Sequence, residues 1–474
     1  MNITNVIAVD LGASSGRLIS GSYDGEKITL AEQFRFSNQP IELLDSLYWD
    51  YLQILQKIKE GLVCSERTLG KLTSLSVDTW GVDYGLIGIN GNLLQAPYSY
   101  RDGRATKYLT EFTKKVSAEN LFALTGTQLD AIDSIVQLFA DLQLNPHLER
   151  QIAHVVFMPN LIKYFLSGNL SSEWTITSTS GLLEQKTRKI SSVLCEKLGF
   201  NKEWFIDFTD NQDLGLLRDK IQTDMNLKSE LKILNGVGHD TAAALVSLPV
   251  KPDEWQKTAF ISCGTWSIVG TQTPEAIVSQ EAFSAGLTNE GCQGQKNRLL
   301  KNITGLWIVQ ELQREWATKG DKLSFEEMTA LAMEASSIQS KIDPNAQIFT
   351  DSGNMQERIN EYLKFTRQPL PRDKGELLRL VYESLANSYA KAITELEKIT
   401  GNEIEDVYMF GGGIQNKLLV DLTRKYTKRN VSLGAVEASV LGNIVDQLEI
   451  LGKITSANKE SVLKKTYEQL VLGK

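Results

Sequence analysis

Histidine and cysteine are scarce in this 474-residue chain, and their spacing excludes several chemistries at once. The histidines His147, His154 and His239 and the cysteines Cys64, Cys195, Cys263 and Cys292 form no cluster with metal-ligand or redox-pair spacing. Reduced thiols in a cytoplasmic protein are therefore expected. No apolar stretch reaches the roughly 18 residues that a membrane-spanning helix needs, so no membrane partner is expected. Positive charge is not in excess either. A net charge of -8 gives no general attraction for nucleic acid, although a site on an acidic protein can be locally electropositive. Met1–Asn5 has no basic flank and Asp10 interrupts the apolar run Val6–Leu11, so no secretory leader is expected. Two common nucleotide motifs are missing. There is no G-x-x-x-x-G-K-[ST], and Gly411–Gly413 fails G-x-G-x-x-G because Asn416 holds the last position.

With 42% hydrophobic and 23% charged residues the composition is that of a globular protein, and the length suggests about two to four domains. Apolar runs predict strands over Asn5–Leu11, Arg17–Tyr23 and Ile28–Arg35, joined by tight Gly/Ser and Asp-Gly turns into an antiparallel meander. Leu52, Leu55, Ile58 and Leu62 have helical spacing, and Leu72–Val77 reads as a strand. Residues 105–235 read as mostly helical or irregular. Thr258–Thr271 then repeats the opening strand–turn–strand arrangement, which suggests two related halves joined by the polar segment Val250–Glu254. In the helix-rich C-terminal part, Leu377, Leu380, Val381, Leu385 and Tyr389 form a stripe suited to packing.

Five segments carry candidate chemistry. Asp10-Leu11-Gly12 ends a strand with a carboxylate, and Ala13-Ser14-Ser15-Gly16-Arg17 brings backbone N–H groups, two hydroxyls and a guanidinium to one turn. Polyphosphate suits such a turn, with Asp10 placed for a divalent cation, although an ordinary hairpin with a solvated Asp reads the same way. Asp78-Thr79-Trp80-Gly81-Val82-Asp83 suits the lip of a sugar pocket, or Trp80 is core and Asp78 a turn residue. Gly238-His239-Asp240-Thr241 places a carboxylate at the start of an Ala-rich helix, where it could take a proton from a hydroxyl or simply cap the helix. Cys263-Gly264-Thr265-Trp266 is a second candidate phosphate turn or a plain β-turn. Gly411-Gly412-Gly413 follows an apolar strand, and glycines there would let a nucleotide lie against the backbone.

The order of these segments resembles the actin-like ATPase fold and, more narrowly, the FGGY family of carbohydrate kinases, in its subgroup acting on L-rhamnulose. The resemblance covers nearly the whole chain and rests on AVDLGASSGR (8–17), DTWGVD (78–83), YRD (100–102), GHDTAAA (238–244), CGTWS (263–267), TNEG (288–291), LKNITGLWIVQ (300–310) and VEASVLGN (436–443). It implies an α/β protein of two ribonuclease H-like domains with a catalytic cleft between them. The domains would be 1–247, carrying sugar site and base, and 254–450, carrying the nucleotide, followed by a tail at 451–474. The activity implied is transfer of phosphate from ATP, with Mg²⁺, to the O1 hydroxyl of L-rhamnulose in L-rhamnose catabolism. Alternatives are another ketose or polyol, such as fuculose or xylulose, or a non-catalytic sugar or nucleotide sensor. The resemblance assigns Asp240 as general base. Gly81, His239, Asp240, Thr241 and Asn302 would bind sugar, and Ala13, Ser14, Ser15, Gly16, Arg17, Thr265, Gln310, Gly411, Gly412 and Gly413 would bind ATP. Asp10 would orient Mg²⁺, through water. The chain departs from the family pattern at Gly238, Cys263 and Cys292, which stand for Ser, Ser and Gly. It departs also at Asn160 in Met158-Pro159-Asn160, where the family has Asp, and over Thr175–Gly181.

Overall fold

A strand buried on both faces is mostly apolar along its length. In the computed structural model, which describes residues 3–208 and 212–472, β1 (Thr4–Leu11) is such a strand, with every residue after Thr4 buried. It pairs antiparallel with β2 (Ser15–Tyr23), which pairs antiparallel with β3 (Ile28–Ser37), so the expected meander forms. α1 (Tyr51–Leu69) starts at Asp50, whose carboxylate accepts from the Gln53 amide at 3.0 Å. Its buried face is Tyr51, Ile54, Ile58 and Leu62, while Leu52 is 77% exposed. The helical spacing expected from Leu52 and Leu55 was thus one residue out of phase, because Tyr51 and Ile54 extend the same period.

β4 (Ser74–Thr79) lies parallel to β1 and brings Asp78 opposite Asp10. The stretch expected to be helical or irregular holds α2 (Met158–Ser167) and several other helices, but also a strand, Ile152–Phe157, paired with Tyr84–Gly88. β5 (Asp213–Leu216) and β6 (Lys232–Leu234) complete a sheet of order β5-β6-β4-β1-β2-β3. The short helix α3 (Asp240–Val246) follows.

Val250 opens a second compact unit. β7 (Thr258–Cys263) and β8 (Trp266–Thr273) form its antiparallel hairpin. The chain passes through β9 (Thr288–Cys292) and β10 (Lys296–Thr304) to α4 (Trp307–Thr318). α5 (Lys374–Thr400) is capped by Asp373 and Gly401 and buries all five stripe residues, Leu377 to Tyr389. β11 (Asp406–Phe410), α6 (Lys417–Thr427) and β12 (Asn430–Leu433) follow. The strands run β10-β8-β7-β11-β12, with β7 parallel to β11 as β1 is to β4. The same topology, a hairpin beside a parallel strand, is thus built twice.

The compact units cut across the sequence division expected at 1–247, 254–450 and 451–474. Pro274–Arg298 and everything from Ala438 onward belong with residues up to Pro249, while Val250–Thr273 and Leu299–Glu437 form the second unit. The cause is packing. α7 (Ala438–Ile450) lies on β1, β4 and α3. Its Gln447 donates to the Ile7 carbonyl at 3.0 Å and accepts from Ser74 at 2.7 Å, satisfying polar groups the sheet would otherwise bury alone. The expected tail is a helix, α8 (Lys459–Leu472), whose Thr466 hydroxyl accepts from the Ile28 amide at 3.0 Å and so covers the edge strand β3. Met1, Asn2, Gly473 and Lys474, parts of the expected N-terminal segment and tail, lie outside the described residues.

Candidate active site

The turn after β1 is closed by the backbone. The Gly12 amide donates to the Ser15 carbonyl at 2.9 Å, and Asn38 donates to the carbonyls of Ser14 and Gly12 at 3.1 and 2.7 Å. Antiparallel register sets Asp10 opposite Arg17, and their side chains form an ion pair. Ala13 to Arg17 and Asp10 are therefore one structure.

Asp78 is neither lip nor turn residue. It ends β4, is fully buried, and accepts from Asn443 of α7 at 2.6 Å through Oδ2. Its Oδ1 has no hydrogen-bond donor among the described residues. Burial, then the neighbouring charges of Asp10 and Asp240, push its carboxyl well above the usual range. An orphaned buried carboxylate oxygen costs about 1–3 kcal/mol, which marks a place where a ligand or its water shell completes the bonding. Magnesium fits this donor set. It takes one or two carboxylates, keeping waters and phosphate oxygens for its other positions. Asp10 and Asp78 offer just that, and no group of three such ligands occurs among the described residues.

The loop before α3 is held on every side. Val237 donates to Asp446 of α7 at 2.9 Å, and Gly238 to Glu173 at 3.2 Å. The amides of Gly238 and His239 reach the Thr175 hydroxyl at 3.2 Å, and the Gly238 carbonyl accepts from Thr79 at 2.9 Å. Asn235 is gripped by Asn160 at 2.9 Å and by Lys163 at 3.1 Å, whose ammonium burial pushes down to about 8. A Cβ at Gly238 would lie 2.8 Å from Glu173 Oε1 and 3.0 Å from Pro159, which accounts for glycine here instead of the family's Ser. Asp240 opens α3. Its Oδ1 accepts from the Thr241 amide at 2.5 Å and hydroxyl at 3.1 Å, and its side chain stays 38% exposed. His239 Nε2 lies 3.6 Å from the same oxygen.

Around Gly81, Trp80 is core and not lip. It is 7% exposed, packs on Trp49 at 4.1 Å, and spends its N–H on Asp83 at 2.9 Å. Asp83 also accepts from Trp49 and the Tyr100 amide, and burial pushes it up to about 6. Val82 has φ 66°, a strained angle for a β-branched residue, and its amide donates to Thr179 at 3.1 Å. Thr179 packs against Gly81 as well.

In the second unit the carbonyls of Gly264 and Thr265 accept from Gly305, Leu306 and Trp307 at 3.0–3.1 Å, so the turn sits on the start of α4. Thr265 and Gln310 bond at 3.2 Å. A Cβ on Gly411 would lie 2.9 Å from the Cys263 carbonyl and one on Gly413 2.2 Å from its sulfur, whereas one on Gly412 meets nothing. Two of the three glycines are thus required by the turn beneath them, and Gly412 alone faces open space. Cys263 is buried, with its thiol pushed up to about 11 by burial. Thr265, Gln310 and Gly411–Gly413 are brought together. Asn302 lies exposed on β10, its carbonyl accepting from Asn345 at 3.1 Å.

Sequence reasoning missed Glu173, Lys163, Arg298, Asn443 and Asp446. Their roles depend on which distant segment they meet, and no local pattern announces that.

Known proteins match along the whole chain. The model of the FGGY family of carbohydrate kinases, N-terminal domain, covers residues 5–247, and that of its C-terminal domain covers 259–448. A rhamnulokinase of Bacteroides thetaiotaomicron is 32% identical over 95% of this chain and 92% of its own length. One of Oceanobacillus iheyensis is 32% identical over 99% and 98%. A ligand-bound xylulose kinase from Lactobacillus acidophilus shares the fold with TM-score 0.80 over 96% of this chain and 91% of its own, at 15% identity. No described helix is long and apolar enough to cross a membrane. Two domains of the expected kind, matched end to end, establish that the chain belongs to the FGGY family of carbohydrate kinases.

Proposed function

We propose that this chain phosphorylates L-rhamnulose at O1, giving L-rhamnulose 1-phosphate and ADP. The carrying observation is the meeting of Asp240 with Asp10 and Asp78 at the ends of α3, β1 and β4, close enough for their charges to act on one another. The sugar assignment is supported by relatives named rhamnulokinase that span almost the full chain.

Thr241 engages Asp240 Oδ1. Oδ2 is then the oxygen that takes the proton from the O1 hydroxyl as O1 bonds to the γ-phosphorus and ADP leaves. His239, Thr241, Gly81 and Asn302 bind the sugar. Ala13, Ser14, Ser15 and Gly16 bind phosphate through amides and hydroxyls, and Arg17 exchanges its pairing with Asp10 for a phosphate oxygen. Thr265, Gln310 and the Gly411–Gly413 loop bind the rest of ATP. Asp10 and Asp78 would hold Mg²⁺, which neutralises charge on the phosphate oxygens.

The test is ADP release across L-rhamnulose, L-fuculose, D-xylulose and polyols. The expected result is the highest kcat/KM for L-rhamnulose. Turnover with none of them, or a higher kcat/KM for another sugar, contradicts the assignment.

A further inference from the structure

His239 was expected only to touch substrate, yet the structure surrounds it with a buried charge system that the proposed mechanism does not use. Arg298 of β10 is fully buried. Its Nη2 lies 2.5 Å from His239 Nδ1, its Nη1 donates to the Gly291 carbonyl at 2.8 Å, and it forms an ion pair with Glu290 of β9. Its Nε has no hydrogen-bond acceptor among the described residues.

An arginine can only donate, so the imidazole nitrogen facing it must accept. His239 Nδ1 therefore carries no proton, and the ring of a neutral histidine holds its one proton on Nε2, on the side of Asp240. Desolvating a guanidinium and a carboxylate is costly, and the Nε of this pair finds no acceptor among the described residues. An arrangement that stabilises so poorly, aimed at one ring nitrogen, is explained by what it does to that ring.

We propose that Arg298, held by Glu290, is a positioning residue that fixes His239 as a neutral Nε2–H donor toward the sugar hydroxyl next to Asp240. The proposal rests on the sugar-kinase reading of the site. Without Arg298 the ring could flip its proton to Nδ1 and present a bare acceptor to a hydroxyl, or become charged and pair with Asp240, lowering its power as a base. Among the described residues, Arg298 from β10, Glu290 from β9, Asp240 from α3 and Glu173, the N-cap of the short helix Trp174–Thr177, face His239. Burial, then the Arg298 charge, hold His239 below its ordinary 6.5, while the three carboxylates oppose this. Cys292 stands beside Arg298 as a neutral thiol, pushed up to about 11 by burial, so it adds no competing charge.

The signs of these effects separate positioning from mere packing. With only three histidines in the chain, ring ¹⁵N NMR can follow His239 without turnover, assigned through His239→Gln. The wild type should show a protonated Nε2 and an unprotonated Nδ1. Glu290→Gln should lower the His239 titration point further. Arg298→Met/Glu290→Gln, which leaves no unpaired buried carboxylate, should raise it and mix the tautomers. Arg298→Lys should keep it depressed. KM for the sugar should rise on the order of tenfold in the double variant, with KM for ATP little changed. A wild-type ring protonated on Nδ1, or a double variant that leaves tautomer and titration point where they were, overturns the proposal. Because the ring is read without catalysis, a failure of every ketose to react would overturn the kinase reading separately.

Discussion

Two residues before the turn glycine, the first hairpin carries Asp10 opposite Arg17, and the second carries Ser262 opposite Ile268. The backbones are alike, a strand pair flanked by a parallel strand, but one turn is charged and the other neutral. The first gathers Asp10, Asp78 and Asp240 around an unsatisfied oxygen. The second closes over Cys263, Ser267 and Tyr389, with Ser267 and Tyr389 hydroxyls 2.7 Å apart. A buried carboxylate of this unit lies instead in the framework, at Glu383 of α5. Burial raises that group, but hydrogen bonds from Ser337, Lys341 and Arg379 outweigh this and hold it at about 2. Duplicated topology thus yields one charged hairpin and one neutral platform.

Breaking the charged hairpin should separate the two most sharply. Asp10→Asn should lower kcat by about 10²–10³-fold, the usual loss for a misplaced electrostatic stabiliser, while Ser262→Ala at the matching position should leave kcat nearly unchanged. Steady-state rates at saturating Mg²⁺ decide it, and equal losses would erase the distinction.

Acid unfolding sharpens the contrast. The folded value of Glu383, about 2, lies below its ordinary 4.5. The stability it contributes is complete above pH 4.5 and is lost as pH falls from 4.5 toward about 2. Glu383→Gln should lower stability at neutral pH and flatten the pH dependence in that window, as denaturant titrations at several pH values would show.

The smallest effect belongs to the neutral platform. Tyr389→Phe leaves the buried Ser267 hydroxyl without its partner, which should cost about 1–3 kcal/mol in urea unfolding while changing kcat little.

Much of this was legible in the sequence because its signals are local. β1 to β3 announce themselves by apolar runs between Gly/Ser turns, α5 by its stripe, and Asp240 by glycines followed by an Ala-rich helix. What escaped is set by partners far along the chain. Asp78 meets Asp10 through register across 68 positions, and Asn443 reaches Asp78 across 365. That α7 and α8 return to the first unit could not be read from their own periodicity, since an amphipathic helix does not say which sheet it covers. Trp80 was ambiguous for a related reason: packing on Trp49 and the N–H bond to Asp83 help make it core. Leu52 misled because a stripe of leucines overlapped a better one starting at Tyr51.

The most direct test of the account is Asp240→Asn, which keeps the shape of the side chain and removes its capacity as a base. The kcat with L-rhamnulose should fall about 10²–10⁴-fold. ATP affinity by calorimetry should stay near that of the wild type. Turnover close to wild type would contradict the assignment of Asp240 and, with it, the division of labour between the two hairpins.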